Sequence, residues 1–158
     1  MNIRCRSAAQ PARGSVAVEM AILLPLFLLL LAVPFFYARM FWFYSAGEKA
    51  AHDATRYLSS VPQADMRTPG GGFNEAEVAA IARWIAQEEL KEVLPFSDGI
   101  LIIILCDGDS CGSGVPSTVR TSVQITLHDN ILNALTTAFT SNTDVRLKSA
   151  VTMRYVGN

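Results

Sequence analysis

Residues Met20 to Tyr37 (MAILLPLFLLLLAVPFFY) contain no charged side chain. An α-helix rises 1.5 Å per residue, so about 20 apolar residues cross the hydrocarbon core of a bilayer. With its flanks, this run is long enough to do so. The residues before it, MNIRCRSAAQPAR, carry Arg4, Arg6 and Arg13 and no acid. That bias favours a cytoplasmic N-terminus, with the rest of the chain exported. Hydrophobic residues make up 51% of the 158 residues, unevenly: beyond the run the composition is that of one small soluble domain. The formal net charge of −1 supplies no basic field to attract nucleic acid.

The helical pattern outlasts the apolar run. Phe43, Ala46, Gly47, Ala50, Ala54, Tyr57 and Leu58 recur at spacings of three and four, while Glu48, Lys49, Asp53 and Arg56 fall largely off that stripe. One helix is therefore expected to run to about Ser60. Its small residues permit close approach to a sheet or another helix. Pro25 and Pro34 each remove one backbone hydrogen bond within it and should bend or loosen it. Residues 61–73, rich in Pro and Gly, read as a loop. Asn74 is the expected cap of a second helix, with Glu77 completing a capping-box-like start. Val78, Ile81, Ile85, Leu90 and Leu94 would form most of its apolar face, and Pro95 would end it.

The last third reads as β. Gly99 to Leu105 (GILIIIL) is a continuous apolar run, as expected of a buried strand. From Thr118 to Leu127 the pattern alternates, with Val119, Thr121, Val123, Ile125 and Leu127 on one face. Ile131 to Phe139 reads as a short amphipathic helix. Val145, Leu147, Ser149, Val151, Met153 and Tyr155 mark a third alternating strand. The expected fold class is α+β, with a long N-terminal helix packed on a small antiparallel sheet.

Glu19 stands at the membrane end of an otherwise apolar helix, where a carboxylate needs a partner or a function. Gly14 precedes it by five positions. Cleavage between Gly14 and Ser15 would place a new α-amino group on Ser15, about one helical turn from the carboxylate. Amine and carboxylate can then neutralise each other in lipid, within one subunit or between neighbours.

A basic leader, Gly, four residues, Glu and a long apolar helix together form the type IV prepilin pattern. The segment GSVAVEMAILLPLFLLLLAVPFFYARMFWFYSAGEKAAHDATRYL resembles the N-terminal part of TadE-like proteins of the Tad (tight adherence, Flp) pilus system. The matching positions are Val18, Glu19, Met20, Ala21, Leu24 and Pro25, then Ala50, Ala51, Ala54 and Arg56. The closing LKSAVTMRYV resembles the family's terminal strand. Met20 departs from the more usual aromatic residue after the glutamate. The resemblance implies a type IV pilin-like fold: a leader at 1–14, a transmembrane part at 15–44 and an exported domain at 45–158. It implies cleavage by a prepilin peptidase, seating in the bacterial inner membrane, and partnership with other pilin-like subunits and Tad assembly proteins. Helix packing would use Pro25, Ala46, Ala50 and Ala54. No cofactor and no catalysis are implied.

Other readings use the same residues. Ser45-Ala46-Gly47 offers small residues for signal-peptide cleavage, but the run exceeds the ~7–15 residues of a signal core and starts behind a glutamate. An uncleaved single-pass anchor bearing a binding or sensory domain shares the apolar length. Cys106 and Cys111, two of three cysteines, flank DGDS between two expected strands; in an exported domain a disulfide is favoured. Asp107 and Asp109 lack the further oxygen ligands that Ca²⁺ requires. His52 and His128 belong to no catalytic or zinc spacing. Gly70-Gly71-Gly72 has no following lysine to make a phosphate loop. Glu88, Glu89, Lys91 and Glu92 read as a solvated helix face.

Overall fold

A computed structural model describes residues 13–68, 70, 76–128 and 144–157; for residues 13–15 and 128 only the backbone is described. The elements are α1 (Arg13–Ser60), α2 (Gln63–Met66), α3 (Glu77–Glu89), a 3-10 turn (Leu94–Phe96), β1 (Gly99–Cys106), β2 (Thr118–His128) and β3 (Asp144–Arg154). The chain divides into two compact units, Met1–Arg39 and Met40–Asn158. The long helix, the α+β class and all three strands follow the sequence pattern. The helix expected over Ile131 to Phe139 lies outside the described residues.

In the first unit α1 runs through Pro25 and Pro34 without interruption. Its large apolar side chains, from Val16 through Leu31 to Tyr37, stand mostly exposed. Such a helix has no core of its own, and its apolar surface requires a non-aqueous surrounding.

The second unit is built on a three-stranded antiparallel sheet in the order β1-β2-β3. Register pairs Ile102 with Val123 and Val123 with Ser149. The period of two turns Val119, Thr121, Val123, Ile125 and Leu127 to the inner face, all buried. The outer half of α1 buries Phe43, Ala50, Ala51, Ala54 and Leu58 in the same core. Gly47 marks its closest approach: a Cβ there would stand 3.0 Å from Ser149 Oγ and 3.3 Å from Ile125 Cδ1. Thr55 donates its hydroxyl to the Ala51 carbonyl at 2.6 Å, so this buried group stays paired. The chain's end closes the core from the other side. Tyr155 donates its hydroxyl to the Val61 carbonyl at 2.6 Å, and Val156 N–H bonds the Ser59 carbonyl at 2.9 Å.

Four expectations need correction. α3 starts at Glu77 behind Ala76, which makes no side-chain cap; Asn74 lies outside the described residues. Its buried face is Val78, Ala79, Ala82 and Ala86, followed by Leu90, whereas Ile81 and Leu94 are exposed. Both stripes have helical spacing. The alanine stripe faces inward because small side chains bring the backbone near β1, where Arg83 donates to the Ile102 carbonyl. Pro95 does not end the helix: α3 stops at Glu89, and Pro95 lies in the following 3-10 turn. β1, finally, is buried on one face only. Ile102, Ile104 and Cys106 point inward, while Leu101 and Ile103 are 53% and 40% exposed. As an edge strand of a single sheet layer, β1 meets the core on one side.

Gly47→Val should lower the stability of the membrane-reconstituted chain by about 1–3 kcal/mol, the usual cost of overpacking. Ser149→Ala should leave stability unchanged or raise it, because its hydroxyl is buried with no hydrogen-bond partner among the described residues. Denaturant midpoints of the two variants check both statements; equal losses would mean that the Gly47–Ser149 approach is not tight.

Candidate functional site

The N-terminal candidates lie within the first turns of α1. Gly14 and Ser15 are helical. Glu19 is four residues beyond Ser15, a rise of about 6 Å. Its carboxylate is exposed, with Val16, Val18 and Met20 exposed around it. The helix is long and apolar enough to cross a membrane, and its most apolar window has no burial within the chain. A core helix of a soluble protein would instead bury that window. Among the proposed packing residues, Pro25 is exposed and Ala46 half-buried, while Ala50 and Ala54 are fully buried. Both buried alanines belong to the second unit's own core.

The second candidate is the β1–β2 connection. Cys106 and Cys111 form a disulfide with Cα atoms 5.0 Å apart. Asp107 follows with φ of 53° and Gly108 with φ of 96°. A positive φ is strained for most side chains, but Asp tolerates it and Gly adopts it freely. The Asp107 carboxylate accepts hydrogen bonds from Ser117 N–H and Thr118 N–H, both at 2.7 Å. The Thr118 hydroxyl adds a third at 2.9 Å. These bonds favour the charged form. The Ser117 N–H, then the Thr118 N–H and hydroxyl, hold Asp107 below its ordinary carboxylate range.

Sequence reasoning weighed Asp107 only as a metal ligand and missed this role. The signal was present: Asp-Gly after a strand marks a turn, and a short carboxylate readily bonds nearby backbone N–H groups. Its oxygens are already engaged in closing the hairpin. Among the described residues no group of three or more His, Cys, Asp or Glu is placed to hold a metal.

The remaining titratable residues sit on helix surfaces. His52 Nδ1 lies 3.3 Å from Asp53 Oδ1 on an exposed turn of α1; the side chain of His128 is outside the described set. Lys49 Nζ meets Glu89 Oε2 at 2.6 Å, joining α1 to α3. That hydrogen bond, with the charge of Glu89, raises the Lys49 pKa. Lys91 pairs with Glu88 at 3.0 Å. The expected charge cluster is thus an exposed helix end, partly tied into the fold. An open groove beside it, about 300 Å³, is lined by Trp42, Ser45, Lys49, Glu88, Glu89 and Glu92 among others.

Asp107→Asn should speed amide exchange at Ser117 and Thr118 while leaving the central β2 amides protected. The folded-state pKa of Asp107 is depressed, so its contribution is complete above the unfolded value. It fades as pH falls through the lower folded value. Wild-type protection at the two amides should therefore persist through mildly acid pH. Loss already near neutrality, measured by hydrogen exchange, would contradict this.

One family model, described as TadE-like protein, matches residues 14–56. No curated protein and no solved structure matches the chain. The matched stretch starts at the glycine before Ser15, includes Glu19 and the apolar run, and ends within the buried stripe of α1. Residues 14–56 of this chain are similar to the TadE-like family.

Proposed function

We propose that this chain is a minor pilin-like subunit, a pseudopilin, of Tad/Flp type IVb pilus biogenesis. A prepilin peptidase cuts it after Gly14, and the mature protein sits in the inner membrane with residues 45–158 on the far side. The observation that carries this reading is Glu19, an acid in an exposed apolar helix, five positions after the glycine where the family match begins. A carboxylate at that depth is costly without a counter-ion. Cleavage supplies one, either on the same Ser15 or on a neighbour's. The neighbour's amine makes helix association and charge neutralisation one event.

The exported domain fits the same reading. The Cys106–Cys111 disulfide suits an oxidising compartment. Loss of Arg4, Arg6 and Arg13 with the leader would make the mature chain more acidic. The work proposed is assembly: a membrane helix to pack with other pilin-like subunits and Tad inner-membrane proteins, and a small domain carried outside. The bilayer is its solvent and no chemistry of its own is required.

Intact mass and terminal sequencing of the protein from membranes test the proposal. A chain starting at Ser15 only when the peptidase is present supports it. A chain retaining Met1 would indicate an uncleaved anchor, and one starting near Glu48 a signal peptide. Gly14→Leu should block maturation. Glu19→Ala should permit insertion and cleavage but suppress piliation, since it leaves an amine unpaired in lipid at about 3–5 kcal/mol. Normal piliation in that strain would remove the pairing argument.

A further inference from the structure

Two surfaces of the second unit are left open in one copy, and they complement each other. The first is the outward stripe of α3. Glu77, Ile81, Trp84 and Glu88 are spaced by four, three and four, so they lie along one side of the helix. All four are exposed, Trp84 at 62%. The stripe reads acid, apolar, apolar, acid, and the ion pair of Glu88 with Lys91 is exposed to solvent and can be exchanged.

The second is the outer face of the sheet. There Leu101 and Ile103 of β1 are exposed beside half-buried Gln124 and buried Ser122 of β2. Arg120 lies across from Leu105, at one end of this apolar strip. Lys148, across from Gln124, and Arg146, across from Thr126, lie toward the other. All three cations are exposed. Among the described strand positions on this face, the sole acid is Asp144, at the last rung of the β2–β3 ladder. This face therefore reads base, apolar, base.

The spacings agree. Glu77 and Glu88 are separated by about 16 Å of helix rise. From the Arg120 rung to the rungs of Lys148 and Arg146 is about 14 to 20 Å of strand. A sheet with one apolar outer strip is normally covered by a helix, and exposed Trp84 can stack on an arginine. We propose that the exported domains bind head to tail: the outward stripe of α3 in one copy seats on the outer sheet face of a second copy, its two glutamates meeting the sheet cations. The patches are different, so the contact is heterologous and leaves one of each free at the ends. Such contacts propagate into rings or helical filaments rather than closing as a two-fold dimer. The inference deepens the assembly reading and rests on it.

Paired charge reversals in the full-length chain, in membranes, test this. One variant carries Glu77→Lys and Glu88→Lys, the other Arg120→Glu and Lys148→Glu. All four positions are exposed, and oxidation of Cys106–Cys111 serves as the folding control. A photo-crosslinking benzophenone residue in place of Trp84 reports the contact. In the wild-type background it should join the β1–β2 region of a second copy. Each reversal alone should reduce that adduct about ten-fold, because like charges then face each other. Co-expression of the two should restore it, since each reversed stripe then meets a reversed sheet. No adduct, an adduct to another protein or lipid, or no recovery on mixing overturns the proposal. The N-terminus is sequenced in the same samples. A Ser15 start without the adduct removes this inference alone; the adduct on a chain retaining Met1 removes the processing reading alone.

Discussion

The close approach at Gly47 is the contact on which the folded unit depends. α1 is apolar and exposed at one end and forms the core of a small domain at the other. Without a side chain at Gly47, the helix comes near enough to the sheet for Phe43, Ala50, Ala54 and Leu58 to be fully buried. A larger residue would hold helix and sheet apart, and alanines are too short to bridge the gap. The same economy explains the buried hydroxyl of Ser149, which gains no partner among the described residues but fits the space opposite the glycine. Close packing is favoured here at the cost of one unpaired polar group.

Three strands offer a small core, so the edges and ends are secured individually. Arg83 occupies a β1 carbonyl, which leaves that edge less open to pairing with another chain. The β1–β2 connection is closed twice, by the disulfide and by Asp107. Beyond β3, Tyr155 and Val156 bond to the segment that ends α1. The disulfide and Asp107 close a local turn, while the Tyr155 and Val156 bonds join residues distant in sequence, so the domain gains more order than its apolar area alone would give.

The sequence was most informative where one physical signal dominated. Charge-free length announced α1, and strict alternation located β2 and β3 to within about a residue. It was least informative where two patterns shared a period. In α3 the isoleucines and the alanines recur with equal regularity, and larger side chains ordinarily claim the core. The alanines won because a backbone near β1 was needed, a tertiary demand that no local pattern records. β1 misled for a related reason: a run of isoleucine and leucine marks a strand but does not say whether one or both faces are covered. Asp107 is weighed in the sequence only as a metal ligand, and set aside as one, because its partners Ser117 and Thr118 become neighbours only once the hairpin closes. The Gly14–Glu19 spacing is local and its logic electrostatic, so the sequence alone suggests the processing proposed above.

The two misread surfaces are also the ones that remain apolar in a single copy. Ile81, expected inside from its spacing, stands outside beside Trp84; Leu101 and Ile103, expected within a buried strand, are exposed. A domain that keeps two such strips exposed accepts a solubility cost, and charged residues at their ends limit wrong pairings. Opposite signs on the two strips favour contact between them and disfavour either strip meeting its own kind. That arrangement parallels the proposed role of Glu19 at the apolar end of α1, where a carboxylate in lipid would need a complementary charge. In both places the chain carries an unfavourable feature that a neighbouring copy can relieve, which is what the proposed assembly would supply.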